Sequence, residues 1–127
     1  METQALATVN RMFAAFGAGD LEKFGETVSE HTLWIYHGTQ EIPKATFEGK
    51  EGATPFLRNI LTYTEVLNFE PQQFICDGNM VVVIGQEHQK VKRSGKELKQ
   101  KWVQVYTVED NLITRMEEFA SSEVVSQ

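Results

Sequence analysis

The feature that most constrains the fold of this chain is one segment, Glu97–Phe119, that is rich in β-branched and aromatic residues. It divides into Glu97–Val108 and Leu112–Phe119, with Glu109-Asp110-Asn111 between them. Valine, isoleucine and aromatic residues favour strands, whereas acidic and amide residues favour turns. The segment therefore predicts a β-hairpin, called here the central hairpin, against which the other elements pack.

The register of the central hairpin follows from a three-residue turn that places Val108 opposite Leu112. The pairs on one face are then Tyr106 with Thr114, Gln104 with Met116, and Trp102 with Glu118. The other face is predicted to carry Lys101, Val103, Val105, Thr107, Ile113, Arg115, Glu117 and Phe119. Both faces are partly apolar, whereas a sheet with one wet side alternates more cleanly. We therefore expect both faces to be covered.

Length and charge narrow the class of protein. The 127 residues suit one domain, spanning residues 1–127, and a net charge of −6 argues against nucleic acid as the main partner. No apolar run approaches the roughly 20 residues of a membrane span, and the first residues lack the pattern of a signal peptide. The single cysteine, Cys76, cannot form an internal disulfide, so a cytoplasmic location is expected.

Three helices are predicted from apolar residues at helical spacing. Gly17-Ala18-Gly19 ends the first helix, Asp20 caps the second, and Pro55 lies near the first turn of the third. Their apolar stripes are Leu6, Val9, Phe13 and Phe16; Leu21, Phe24 and Val28; and Ala53, Phe56, Leu57, Ile60 and Leu61.

The predicted order is helix, helix, strand, helix and then four antiparallel strands, so an α+β architecture is expected. The strands outside the central hairpin are predicted at Thr32–His37, Val66–Cys76 and Met80–Lys92, with turns at Asp77-Gly78-Asn79 and Arg93-Ser94-Gly95-Lys96. Gly38–Glu48 is predicted to be a polar loop bordering a site, and Ser121–Gln127 a frayed tail.

This order of elements resembles the nuclear transport factor 2-like superfamily, particularly its SnoaL-like and ketosteroid-isomerase-like branches. The matching stretches are Phe13–Leu21, Phe47–Gly52, Trp102–Asp110 and Ile113–Phe119. The resemblance implies a cone-shaped α+β barrel in which three N-terminal helices pack on a curved, mostly antiparallel sheet. It also implies a cavity between helices and sheet, and often a dimer through the sheets, but no single chemistry.

The catalytic residues of two branches are not kept. In the steroid isomerases, a helix-one tyrosine falls on Met12, the aspartate base on Tyr36 or His37, and the strand-four acid on Gln104. The carboxylate of the polyketide cyclases falls near Ala120-Ser121-Ser122. Steroid isomerase activity is therefore not expected.

The resemblance places the Trp102 face of the hairpin inside the cone. Pairing across Ser94-Gly95 then sets Glu87 opposite Trp102, Gly85 opposite Gln104 and Val83 opposite Tyr106. Glu87 and Glu118 would end one row, roughly 9–10 Å apart, and could share acid and base work. Burial beside Trp102 would raise the pKa of Glu118. Alternatively, one or both carboxylates lie at a solvated rim.

The candidate catalytic residues are therefore Glu118, Glu87 and His37. Histidine is suited to act as a general base, but His37 could equally be an exposed histidine at the edge of a loop. Candidate ligand contacts are Met12, Trp34, Tyr36, Phe56, Gly85, Trp102, Gln104, Tyr106 and Met116. Gly85 could leave room for a ligand or mark a bulge, Gln104 could be a donor or a core amide, and the aromatic residues could be core. No metal-ligand spacing occurs, and no cofactor is predicted.

Two functions remain open. The first is a small-molecule enzyme or binder with an apolar cavity, transferring a proton on a hydrophobic carbonyl or hydroxyl compound without a cofactor. The second is a non-catalytic dimeric domain for ligand binding or assembly. In either case the apolar outer face predicts a homodimer through Val103, Val105, Ile113 and Phe119.

Overall fold

The computed structural model describes residues 3–38, 44–49 and 64–126. They form α1 (Gln4–Ala18), α2 (Leu21–Glu26), β1 (Val28–Tyr36), β2 (Ala45–Glu48), β3 (Thr64–Asp77), β4 (Met80–Val91), β5 (Glu97–Glu109) and β6 (Leu112–Ser126). The predicted third helix, with Ala53, Phe56, Leu57, Ile60 and Leu61, lies outside the described residues.

The strands make one six-stranded sheet in the order β2-β1-β6-β5-β4-β3. β1 runs parallel to β6, and the other pairs are antiparallel. The α+β class is therefore confirmed, with a mixed sheet. The long span between β1 and β6 in sequence explains the parallel pair, because parallel neighbours need a long connection.

Two segments predicted as irregular are strands. Ala45–Glu48, in the predicted polar loop, pairs with β1, and the predicted tail continues β6 until Ser126 lies opposite Glu97. Neither segment has a strong strand pattern of its own. Each is a strand because a neighbouring strand offers backbone hydrogen bonds, a tertiary effect that propensity does not contain.

The helix boundaries follow the capping residues. The hydroxyl of Thr3 accepts from the Leu6 amide, the carboxylate of Asp20 accepts from the Lys23 amide, and Gly19 ends α1 with φ 67°. Val28, predicted in the second helix, instead begins β1 because α2 ends at Glu26. The face of α1 that packs on the sheet carries Ala5, Thr8, Val9, Met12 and Ala15.

The turn of the central hairpin has two residues, not three. Asp110 and Asn111 have φ of 52° and 63°, as a type I′ turn requires, and Glu109 pairs with Leu112. The pairing then shifts between Val108 and Thr107, where a β-bulge leaves Thr114 as the extra residue.

The turn and the bulge each shift the register by one residue, so every later pair lies two residues from its predicted place. Tyr106 lies opposite Met116, Gln104 opposite Glu118, and Trp102 opposite Ala120. A shift of two keeps each side chain on its predicted face. Ile113 is the exception: it precedes the bulge, faces inward and is fully buried, so its predicted place on the outer face is wrong.

The β4–β5 register is also shifted by two. The Val91 amide donates to the Lys96 carbonyl, so the connection is a four-residue loop and not a tight turn across Ser94-Gly95. Gly85 therefore faces Trp102, and Glu87 faces Gln100. The predicted single row joining Glu87, Trp102 and Glu118 is wrong, since Glu87 and Glu118 lie in different rows.

Candidate functional site

Five polar or amphipathic side chains come together on the inner face of β1, β4, β5 and β6, and are called here the inner polar cluster. They are Tyr36, Glu87, Gln100, Gln104 and Glu118, each at most 8% exposed. The period of two places Gln100 and Gln104 on the same face of β5, and the register brings Glu87 and Glu118 to them from the neighbouring strands. Buried groups of this kind are rare in a core unless they have partners or a function.

A hydrogen-bonded chain ends at Glu118. The Tyr106 hydroxyl donates to Oε1 of Gln104 at 2.6 Å, and Nε2 of Gln104 donates to Oε1 of Glu118 at 2.7 Å. The two bonds fix the orientation of the amide, because a carboxylate can only accept. Gln104 lies directly opposite Glu118, so the shifted register creates this contact.

Burial controls the protonation of both carboxyls. It raises the pKa of Glu118 to about 7, against the opposing hydrogen bond from Gln104. Burial and then the charge of Glu118 raise the pKa of Glu87 to about 8. The pKa of Tyr106 is also raised well above its ordinary value, by burial first and by Glu118 second. Near neutral pH, Glu87 is thus mainly protonated, while both the protonated and the ionised form of Glu118 are populated.

Four of the predicted ligand contacts are core residues. Met12, Trp34, Tyr106 and Met116 are all buried in the core, and the Trp34 and Tyr106 rings meet edge to face at 6.1 Å. Trp34 donates its ring N–H to the Thr32 hydroxyl at 3.1 Å. Phe56 lies outside the described residues.

Gly85 makes room for a side chain of the protein itself. A Cβ at this position would lie 2.5 Å from Cζ2 of Trp102 and 2.5 Å from the carbonyl oxygen of Glu70. The indole of Trp102 also stacks on Phe69, with ring centroids 5.0 Å apart. The bulge is on the facing strand, between Pro71 and Gln73. The space beside Gly85 is therefore filled by Trp102 and is not open to a ligand.

His37 lies apart from the inner polar cluster. Its Nε2 is 2.6 Å from a carboxylate oxygen of Glu117, and its ring stacks on Phe119 at 4.5 Å. Glu117 and Phe119 face outward, and the His37 side chain is 43% exposed. This contact lowers the pKa of Glu117. The structure thus places His37 and Glu118 on different faces of the sheet.

Two buried amides, Gln89 and Gln100, each 3% exposed, were not among the predicted site residues. The signal was present, because Gln89 lies two residues beyond Glu87 and Gln100 two residues before Trp102. Extending the period of two along both strands would have added them to the inner face.

Among residues 3–38, 44–49 and 64–126, no three His, Cys, Asp or Glu side chains are grouped as a metal ion would require. No helix of this part is long and apolar enough to cross a lipid bilayer.

Helices on the inner face of a curved, mixed sheet, with polar side chains buried between them, define the nuclear transport factor 2-like class of fold. Within this class, the model of the SnoaL-like domain family matches residues 9–116. The chain belongs to this family. No curated protein matches it.

Solved structures share the fold over most of the chain. A nuclear transport factor 2-like protein from Burkholderia xenovorans has a TM-score of 0.82 and 25% identity, covering 92% of this chain and 88% of the other. One of unknown function from Burkholderia pseudomallei has a TM-score of 0.80 and 21% identity, covering 93% and 91%. TerC, co-crystallised with polyporic acid, has a TM-score of 0.77 and 23% identity, covering 92% and 91%.

Proposed function

We propose that this protein binds a small, mainly apolar carbonyl or hydroxyl compound against its inner face and transfers a proton on it, with Glu118 as the base. The observation that carries this proposal is the hydrogen-bonded chain from Tyr106 through Gln104 to a buried Glu118 whose pKa is raised to about 7. A base is most effective when its pKa lies near the working pH.

The roles of the residues follow from the contacts. Gln104 holds one oxygen of Glu118, which leaves the second oxygen to take a proton from the ligand. Tyr106 holds the amide in the orientation that donates to Glu118. The buried aromatic side chains would contact the apolar body of the ligand. Met12 and Gln104 lack the acidity of the isomerase donors, so we do not propose steroid isomerase activity.

One of the similar structures also supports a ligand on this fold. TerC was co-crystallised with polyporic acid. From this structure we extend to this chain only the binding of an organic molecule.

The test is hydrogen exchange on a simple probe. β-Tetralone is a bicyclic ketone with acidic C–H groups, and in heavy water a proton-transferring protein should speed the incorporation of deuterium beside its carbonyl. We expect Glu118→Gln to remove this acceleration, because glutamine cannot act as a base. Glu117→Gln is the matched control, since Glu117 faces outward. Exchange that is equal in the two variants, or absent in the wild type, would contradict the proposal.

A second candidate function, a non-catalytic dimeric binding or assembly domain, is favoured by the outer face. Phe119 is 46% exposed there. It borders an open groove of about 590 Å³ whose lining includes Ile84, Val103 and Ala120. Apolar surface of this kind suits an interface. We propose a homodimer through Val103, Val105 and Phe119, without Ile113.

Val105→Lys is expected to weaken this dimer, because it places a charge in an apolar contact. Lysine is chosen because Val105 lies opposite Glu117, so the new charge is not repelled within one subunit. Met80→Lys is the control, since Met80 is 41% exposed at the β3–β4 turn. Light scattering at micromolar concentration measures the outcome. A monomeric wild type, or an unchanged dimer in Val105→Lys, would refute the interface.

We also propose that residues 1–127 form one domain that works in the cytoplasm. The single cysteine, Cys76, is exposed and free, as a reducing compartment would permit.

A further inference from the structure

The open groove beside Phe119 has an apolar floor. In the register of the outer face, Val103 lies opposite Ile84 on β4 and opposite Phe119 on β6, and all three residues line the groove. Phe119 is exposed, whereas Ile84 and Val103 are half-buried. The groove volume of about 590 Å³ lies within the roughly 300–1,000 Å³ that is typical of small-molecule sites. The floor therefore offers apolar contact to a small molecule.

The next row of the same face is polar and carries a cation. Lys101 lies opposite Gln86 on β4 and opposite Ser121 on β6, and all three residues are exposed and line the groove. Residues two apart on a strand share a face and are roughly 7 Å apart, so one small molecule can reach both rows. The amide of Gln86 and the hydroxyl of Ser121 can each donate a hydrogen bond beside the ammonium group of Lys101.

The charge of Lys101 is not neutralised within the described part of the chain. Lys101 makes no ion pair there, although the chain has 18 acidic residues against 12 basic ones. Glu117, an acidic residue of the same face, is already engaged by His37 and Arg115. Lys99, two residues before Lys101, adds a second exposed cation to this end of the face. A positive charge beside an apolar floor is complementary to a ligand with an anionic head and an apolar body.

We propose that the groove binds an amphipathic carboxylate, with its carboxylate on Lys101 and its apolar body on Val103 and Phe119. One lysine matches the single charge of a carboxylate, whereas a phosphate ester carries about two charges and suits bidentate arginine contacts. The inner face disfavours the same ligand, because the carboxyls of Glu87 and Glu118 are buried there. The groove lies on the opposite face of the sheet from Glu118, so this inference does not depend on the proposed proton transfer.

The groove overlaps with the proposed dimer contact. Val103 and Phe119 belong to both, whereas Val105 does not line the groove. A bound carboxylate and a second copy of the chain therefore compete for the same two side chains. In a dimer of the proposed kind, the carboxylate should shift the protein toward the monomer, because it binds the surface that the monomer exposes.

Decanoate and its neutral analogue decanol test the charge and the apolar floor separately. We expect Lys101→Met to weaken decanoate binding about fivefold, as one ion pair at an exposed rim allows, and to leave decanol binding unchanged. Lys101→Arg keeps the charge and should retain decanoate binding. Lys23→Met is the matched control, because Lys23 is exposed on α2 and does not line the groove. Titration calorimetry at low salt measures the dissociation constants.

Methyl resonances show which face the ligand occupies. Decanoate should shift the methyl signals of Ile84 and Val103 on the outer face more than those of Val83 and Met116, which are fully buried on the inner face. Shifts confined to the inner pair would overturn the site. Equal affinity for decanoate in Lys101→Met and Lys23→Met, or a loss of decanol binding as large as that of decanoate, would also overturn it.

The remaining outcome identifies a different occupant. If decanoate does not bind and light scattering shows a dimer, the second copy covers the groove and the proposal is wrong. If decanoate does not bind to a monomer, the proposal is equally wrong. The absence of deuterium exchange on β-tetralone would leave the result unchanged, since that reaction tests Glu118 on the other face of the sheet.

Discussion

Gly85→Ala is expected to lower the free energy of unfolding by about 3 kcal/mol, more than most single substitutions. The added Cβ would lie 2.5 Å from the Glu70 carbonyl oxygen and 2.5 Å from the Trp102 ring. A side chain can rotate away from such a clash, but a backbone oxygen in a paired strand can move only with its strand. Trp102 also cannot retreat freely, because it is 2% exposed and stacks on Phe69.

Urea unfolding measures this loss, and Gly17→Ala is the matched control. A Cβ at Gly17 meets nothing within 4 Å, and Gly17 lies within α1, so alanine there should raise stability by up to about 1 kcal/mol. In a Trp102→Leu background, Gly85→Ala should cost less than in the wild type but should still destabilise the protein, since the clash with the Glu70 oxygen remains. If Gly85→Ala lowers the free energy of unfolding by less than Gly17→Ala raises it, the indole of Trp102 does not lie over Gly85.

The second large effect is a fall in stability as the pH rises from about 4.5 to 8. In the unfolded chain a glutamate has a pKa of about 4.3, whereas folding raises the pKa of Glu118 to about 7 and that of Glu87 to about 8. Between these limits the folded protein holds protons that the unfolded chain has released. The stability from these protons is full below the unfolded pKa and is lost as the pH passes the folded values.

The size of this effect is several kcal/mol, because each unit of pKa shift corresponds to about 1.4 kcal/mol. Glu118→Gln and Glu87→Gln should each flatten the fall, since the amide stays neutral at every pH. Each variant should match the wild type below about pH 4 and exceed its free energy of unfolding by about 3–4 kcal/mol at pH 8. Glutamine at position 118 also keeps an oxygen to accept from Gln104.

Denaturant unfolding across this pH range, together with a carbon-13 titration of the glutamate side chains, measures the expected difference. Glu117→Gln is the control, because contact with His37 lowers the pKa of Glu117 and its removal cannot stabilise the protein at pH 8. A wild-type slope retained in Glu118→Gln would place that carboxyl in solvent and remove the main support for its role as a base.

The sequence alone determined the features that depend on residues close to one another along the chain. Thr3 was not recognised as a cap, but Asp20 and the glycines that end α1 were, and the turn at Gly78 was also correctly predicted. The period of two assigned Trp102, Gln104 and Glu118 to one face, and burial agrees for all three. Such features follow from local geometry, so a few residues are enough to define them.

The tertiary structure decided which residues of that face meet. The type I′ turn, the bulge at Thr114 and the four-residue β4–β5 loop each depend on pairing across strands, and together they moved the rows by two residues. A shift of two preserves the faces but changes every neighbour, which is why Glu118 contacts Gln104 and not Trp102. The alternation of side chains along one strand does not indicate how the next strand is shifted relative to it. The inner face of the sheet was therefore predictable, whereas the contacts within the inner polar cluster were not.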